Sequence, residues 1–202
     1  MGTEWVAVGL TRDLPPGVAM PALWQGRELA VWRSASGKLS AWNDRCPHRG
    51  MRMSHGFVRG ETLACIYHGW QYDAKGGCEH IPAHPDLVPP KTICASTFSC
   101  AEADGVIWVA LRPTDADCPS LAGLRGVRSL AIDAPVEQVA NHFGHRPSAV
   151  LRLGTADSIT LALQPMDATH CTVHALADES ADRTEISRWL EHQRRVIEGQ
   201  AA

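Results

Sequence analysis

Two short segments hold the residues with the most chemistry in this chain: Cys46-Pro47-His48 and Cys65-Ile66-Tyr67-His68. Sixteen residues, 49–64, separate them. Each segment offers one thiolate and one imidazole, and both donors bind iron. Two thiolates on one iron and two imidazoles on a second make the donor set of a mixed-ligand [2Fe–2S] centre. Two imidazoles in place of two thiolates remove negative charge. The potential of such a centre then lies in a band of roughly −150 to +300 mV, well above all-cysteine clusters. The implied chemistry is one-electron transfer. Zinc also accepts two thiolates and two imidazoles. Zinc fingers, however, place a cysteine pair before a histidine pair, whereas each half here is mixed. A zinc-stabilised interaction module therefore stands as the remote alternative.

The neighbours narrow the class. His48 runs into Arg49-Gly50, and His68 into Gly69-Trp70 with Tyr72 beyond. Cys-Pro-His-Arg-Gly and Cys-x-Tyr-His-Gly-Trp closely resemble the Rieske domain of bacterial ring-hydroxylating and demethylating oxygenases, notably oxygenase subunits of the vanillate demethylase type. Residues 50–56, 76–82 and 104–109 extend the resemblance to about residues 3–113. It implies a Rieske [2Fe–2S] cluster on Cys46, His48, Cys65 and His68, with Arg49, Gly50, Tyr67, Gly69 and Trp70 around it. Gly50 and Gly69 are expected to form tight turns whose amides point at the cluster sulfurs. Pro47 stiffens the first loop, and Trp70 shields the second from water. Respiratory Rieske proteins add a cysteine to each loop. Met51 and Tyr67 stand there in this chain, so that disulfide is excluded, and the lower-potential, oxygenase end of the range is implied.

The remaining residues fit a globular protein. Apolar residues make up 45% of the 202, the formal charge is −3, and no basic run points to nucleic acid. No apolar stretch approaches a membrane span, and residues 1–5 lack the pattern of a secretory signal. Seven cysteines do not form a disulfide framework, which suggests a reducing cytoplasm. Cys78, Cys94, Cys100, Cys118 and Cys171 lack ligand spacing and are expected as buried small residues. His55, His80, His84, His142, His145 and His192 are expected on loops or the surface.

Elements able to position the ligands follow from the pattern. Strands are expected over 4–8, 27–33, 38–44, 63–66, 92–98 and 106–111, with turns at 15–17, 34–37 and 103–105. These short strands predict a mainly β protein: an antiparallel β-sandwich Rieske domain over 1–113. Trp5, Trp24, Trp32, Trp42 and Trp108 are expected in its core. A polar, proline-containing linker spans 114–126. Residues 127–202 then read as a small α+β domain. It has strands over 128–132, 149–153, 158–163 and 171–176, turns at 154–157 and 165–167, and a short helix over 134–143 stopped by Gly144. An amphipathic helix closes it. Asp182 to Glu185 start that helix, Ile186, Trp189, Leu190, Val196 and Ile197 share its face, and Gly199 ends it.

This second part resembles a fragment of the helix-grip catalytic domain of the same oxygenases. It departs where the family holds mononuclear iron on an Asn-x-x-Asp-x-x-His-x(4–5)-His run. Asn141-His142-Phe143-Gly144-His145 lacks the aspartate and the histidine pair. Asp167, His170 and His174 offer a carboxylate and two histidines, but on a strand the histidines stand about 13 Å apart. A second, mononuclear iron is not expected. The leading expectation is an electron-transfer protein that accepts electrons from a reductase and passes them to an oxygenase subunit. The alternative is a compact oxygenase, or one completed by another subunit, acting on a small organic molecule.

Overall fold

The structure, a computed structural model, describes residues 5–121, 123–154 and 159–199. The chain runs β1 (Val6–Leu10), β2 (Ala19–Trp24), β3 (Arg27–Arg33), β4 (Leu39–Asn43), β5 (Phe57–Arg59), β6 (Thr62–Ala64), β7 (Gln71–Asp73), β8 (Cys78–His80), β9 (Thr97–Ala103) and β10 (Val106–Ala110). It continues with β11 (Leu124–Ile132), α1 (Val136–His142), β12 (Val150–Arg152), β13 (Thr160–Pro165), β14 (Cys171–Asp178) and α2 (Arg183–Ile197).

Three antiparallel sheets result. Six strands are ordered β1-β10-β9-β4-β3-β2, a small sheet is ordered β5-β6-β7-β8, and the last is ordered β11-β14-β13-β12. Within the large sheet β1 and β10 are buried throughout and the middles of β3 and β4 are buried, which explains why these segments lack a polar face in the sequence. In β3, Leu29 and Val31 enter one apolar cluster, while Ala30 and Trp32 enter another with Cys46, Cys65 and Tyr72. In β10, Ile107 and Val109 join the first cluster, and Val106, Trp108 and Ala110 face the last sheet. Trp32 and Trp42 meet edge to face at 5.1 Å. Such a pair adds roughly 0.5–1.5 kcal/mol beyond its buried area.

The last sheet also uses both faces. Leu161, Leu163, Val173, Ala175 and Ala177 pack with Ile186 and Leu190 of α2 and with Val139 and Ala140 of α1. Ala162 and Leu176 on the opposite face join Trp5, Ala7 and Trp108. Asp182 caps α2, accepting from the N–H groups of Thr184 (2.8 Å) and Glu185 (3.1 Å).

Several expectations shift. The strand expected over 92–98 is β9, displaced to Thr97–Ala103. Residues 93–95 instead brace the loop before it, through Cys78 N–H to Ile93 C=O and Ala95 N–H to Gly76 C=O. The helix over 134–143 is shorter, with Pro135 preceding its first turn. Val196 is 39% exposed, because only Ile186, Leu190 and Ile197 of that face are buried. Of the five remaining cysteines only Cys171 is buried, and Cys94 is exposed. The expected turn residues 155–157 and residue 158 lie outside the described residues. No helix among the described residues is long and apolar enough to cross a membrane.

Candidate metal centre

The two ligand segments fold into matching loops. In the first, Cys46 N–H donates to Met51 C=O (2.7 Å), and Gly50 N–H donates to Cys46 C=O (2.8 Å). In the second, Cys65 N–H donates to Trp70 C=O (2.9 Å), and Gly69 N–H donates to Cys65 C=O (2.9 Å). Each loop closes through a glycine four residues after its cysteine, with φ of 72° at Gly50 and 71° at Gly69. That left-handed backbone favours glycine. The glycine amides themselves go to cysteine carbonyls, and the turns they form bring other loop amides toward a sulfur, as the sequence suggested. The amides directed at a sulfur are those of Tyr67 and His68, which favour the thiolate form of Cys65.

Both cysteines are buried beneath the loops, Cys46 at 4% exposure and Cys65 at 2%. Burial, together with the nearby Cys46 sulfur, raises the Cys65 thiol above its ordinary value. A bound cation is what holds such a pair deprotonated. The histidines lie further out, His48 half-buried and His68 exposed. Their rings stand 4.6 Å apart, centre to centre. The Trp70 ring stacks parallel on His48 at 4.1 Å, so it covers the first loop's imidazole as well as its own loop. Burial, then the charges of His68 and Arg49, lower the pKa of His48 and favour the neutral form that ligates metal.

The residues fit an iron–sulfur cluster. His48 Nδ1 is buried and has no hydrogen-bond partner, an unusual state for an imidazole nitrogen unless it meets a metal. Among the described residues no three His, Cys, Asp or Glu side chains gather as one ion's ligands. Zinc in a structural site asks for four donors on one ion, whereas a Rieske cluster asks for two on each of two irons. Cys46, His48, Cys65 and His68 are thus the residues able to hold it. Bound there, a cluster would supply a one-electron acceptor, with the two cysteines buried and His68 exposed to solvent.

Tyr72 is the neighbour that the sequence showed only as part of a motif. Its hydroxyl lies 3.3 Å from Cys46 Sγ. Burial first, then the Cys46 sulfur, push its pKa far up, so the O–H stays intact as a donor. Donation to a cysteinate withdraws charge and favours the reduced state. Tyr72→Phe is expected to lower the midpoint potential by on the order of 50 mV, the equivalent of about 1 kcal/mol for one electron. Protein-film voltammetry checks this, and an unchanged potential would mean that the contact does not tune the centre.

The other candidate cluster does not assemble. His170 precedes β14 and is exposed, its Nδ1 2.8 Å from Asp167 Oδ1. His174 is buried on the sheet face turned away from the helices, with Nδ1 2.8 Å from Ser129 Oγ and Nε2 3.0 Å from Gln164 Oε1. Residue 170 belongs to the turn before β14, so the two histidines do not stand on one strand.

Comparison with known proteins agrees with this geometry. A Rieske [2Fe-2S] domain family model matches residues 4–97. Oxidoreductase NdmD of Pseudomonas putida is 35% identical over 173 residues, covering 81% of this chain and 29% of NdmD. That match is longer than the Rieske match and runs into the last sheet. Protein TIC 55, chloroplastic, of Arabidopsis thaliana is 34% identical over 107 residues, covering 52% of this chain and 20% of that protein. This chain thus spans less than a third of the length of these curated relatives. Among solved structures, NdmB of Pseudomonas putida CBB5 superposes with a TM-score of 0.79 at 21% identity, covering 97% of this chain and 81% of that chain. The fold is therefore shared over nearly the whole chain. Residues 4–97 form a Rieske [2Fe–2S] domain, the type that carries a Rieske-type cluster, and the chain is related to oxidoreductase NdmD along 173 residues.

Proposed function

We propose that this chain is an electron carrier whose cluster is held by Cys46, His48, Cys65 and His68, taking single electrons from a reductase and passing them to an oxygenase iron on another chain. The observation that carries this reading is the arrangement of the ligands. Both cysteines are buried, while His68 lies exposed with Tyr67 (56% exposed) beside it. Electrons then enter and leave at the imidazole side, where a partner can approach closely. The second unit supports the same reading. Its helix-facing side is filled by an apolar core of Leu161, Leu163, Val173, Ile186 and Leu190, where an oxygenase would need polar iron ligands. We treat residues 1–113 as the Rieske domain, 114–126 as linker and 127–202 as a small α+β domain resembling a truncated catalytic domain. A cytoplasmic setting suits the seven free cysteines.

One observation favours a second reading, an oxygenase that is compact or completed by another copy of this chain: the fold likeness to dicamba monooxygenase (TM-score 0.78, 18% identity) covers 96% of this chain, beyond the Rieske domain. A single-turnover experiment separates the two. Protein reduced anaerobically with dithionite is mixed with ferricyanide or, separately, with air and a panel of small aromatic and N-methyl compounds. The carrier reading expects one electron per chain to reach ferricyanide and no oxygenated product. A stoichiometric hydroxylated or demethylated product would establish the oxygenase.

A further inference from the structure

We propose that Glu28 is the positioning residue of the first ligand loop, and that the second unit holds Glu28 in place through the β2–β3 hairpin. The inference rests on the cluster reading above and gives the second unit a task in it.

The first ligand loop is pinned at its base by two nested contacts. Asp44, fully buried, accepts from the Ser54 N–H (2.7 Å) and the Ser54 hydroxyl (2.6 Å). One step inward, the Glu28 carboxylate pairs with both Arg45 and Arg52. Arg45 immediately precedes Cys46, and Arg52 immediately follows Met51, whose carbonyl closes the loop on Cys46 N–H. One carboxylate thus ties together the two chain segments that enter and leave the loop. The Glu28 backbone takes part as well, its carbonyl accepting from Asp44 N–H at 3.0 Å.

Glu28 itself sits on a hairpin held from the other side. It pairs with Leu23 across β2 and β3, next to the turn at Gln25 and Gly26, whose φ values are 47° and 76°. Gln25 N–H donates to Pro165 C=O (2.9 Å), and Gly26 N–H donates to Met166 C=O (2.7 Å). Gln164 Nε2 donates to Leu23 C=O (2.7 Å). All three partners lie at the β13 end of the second unit, and Gln164 is anchored there by His174. A continuous set of bonds therefore runs from β14 through β13 and the hairpin to both sides of the Cys46 and His48 loop.

Exposed ion pairs add little stability. The expected effect of Glu28 therefore lies in the cluster, where partners of the ligand shell commonly alter metal retention by 10- to 100-fold. The test measures bleaching of the visible spectrum in excess EDTA and the EPR g-values of dithionite-reduced protein, for wild type, E28Q, E28D, Q164L and E28Q/Q164L. Circular dichroism checks the fold of each. Expected are bleaching about ten-fold faster in E28Q with shifted g-values, partial rescue in E28D, and faster bleaching in Q164L. The double variant bleaches no faster than E28Q, because both substitutions act on one contact. Wild-type bleaching and g-values in E28Q would overturn the role of Glu28. A wild-type rate in Q164L, or additive effects in the double variant, would overturn the role of the second unit. A wild-type protein with no cluster spectrum would instead remove the cluster reading itself.

Discussion

Cys65→Ser yields a colourless protein with no Rieske EPR signal. The serine hydroxyl is a hard donor with little tendency to ionise, and iron in this cluster type takes thiolates. Cys65 is 2% exposed, so solvent does not substitute for it. The loss extends to stability. Cys46 and Cys65 both belong to the apolar layer with Trp32, Trp42, Leu63 and Tyr72, and a cluster bound to both ties two separate loops across that layer. Metal binding that requires the folded site adds directly to folding free energy. A ligand bound at a thousand times its dissociation constant contributes about 4 kcal/mol. For a chain of this length that corresponds to a melting temperature lower by about 10 °C. Absorption spectroscopy and calorimetry on wild type and C65S check both parts. A C65S protein that keeps the wild-type spectrum would show that the ligands are assigned wrongly.

The second large effect is a loss of stability on mild acidification, caused by His174. Burial lowers its pKa from 6.5 to about 4, and its hydrogen-bond neighbours, Ser129 and Gln164, are neutral. The unfolded chain protonates this histidine near pH 6.5, while the folded chain resists until about pH 4. Between those values the unfolded state holds more protons, so stability is fully present above pH 6.5 and declines as pH falls. The slope is about 1.4 kcal/mol per pH unit, or roughly 3 kcal/mol across the window. His48, also lowered, acts in the same direction when no metal is bound. The difference between wild type and His174→Gln isolates the buried residue. Urea unfolding at pH 7.5, 6.5, 5.5 and 5.0 is expected to show a steeper decline in wild type than in the variant. Equal slopes would mean that His174 titrates normally.

What the sequence revealed and what it concealed follow from the range of the interactions. Cys46, His48, Cys65 and His68 are legible because loop chemistry is local: cysteine, histidine and glycine recur within five residues in both segments. The hairpin of β3 and β4, the turn at Asp104 and Gly105, and the Asp182 cap are local in the same sense. The shift of β9 was hidden because residues 92–96 are as strand-like as those that follow. Only their bonds to Gly76 and Cys78 draw them out of the sheet. The clamp by Glu28, Asp44 and Ser54 was invisible for a related reason. Its contacts, Ser54 with Asp44 and Arg52 with Glu28, join residues 10 and 24 apart, and charged residues before a loop ordinarily face solvent. His174 was seen as a possible ligand because type and spacing say nothing about burial. The structure gives both of its ring nitrogens protein partners.

The central claim is that four residues split between two loops hold a [2Fe–2S] cluster. Iron and acid-labile sulfide, counted per chain on freshly purified protein and followed by EPR after dithionite, test it most directly. About two irons and two sulfides per chain are expected, with visible absorption that bleaches on uptake of one electron. A colourless protein holding one zinc per chain would contradict the account.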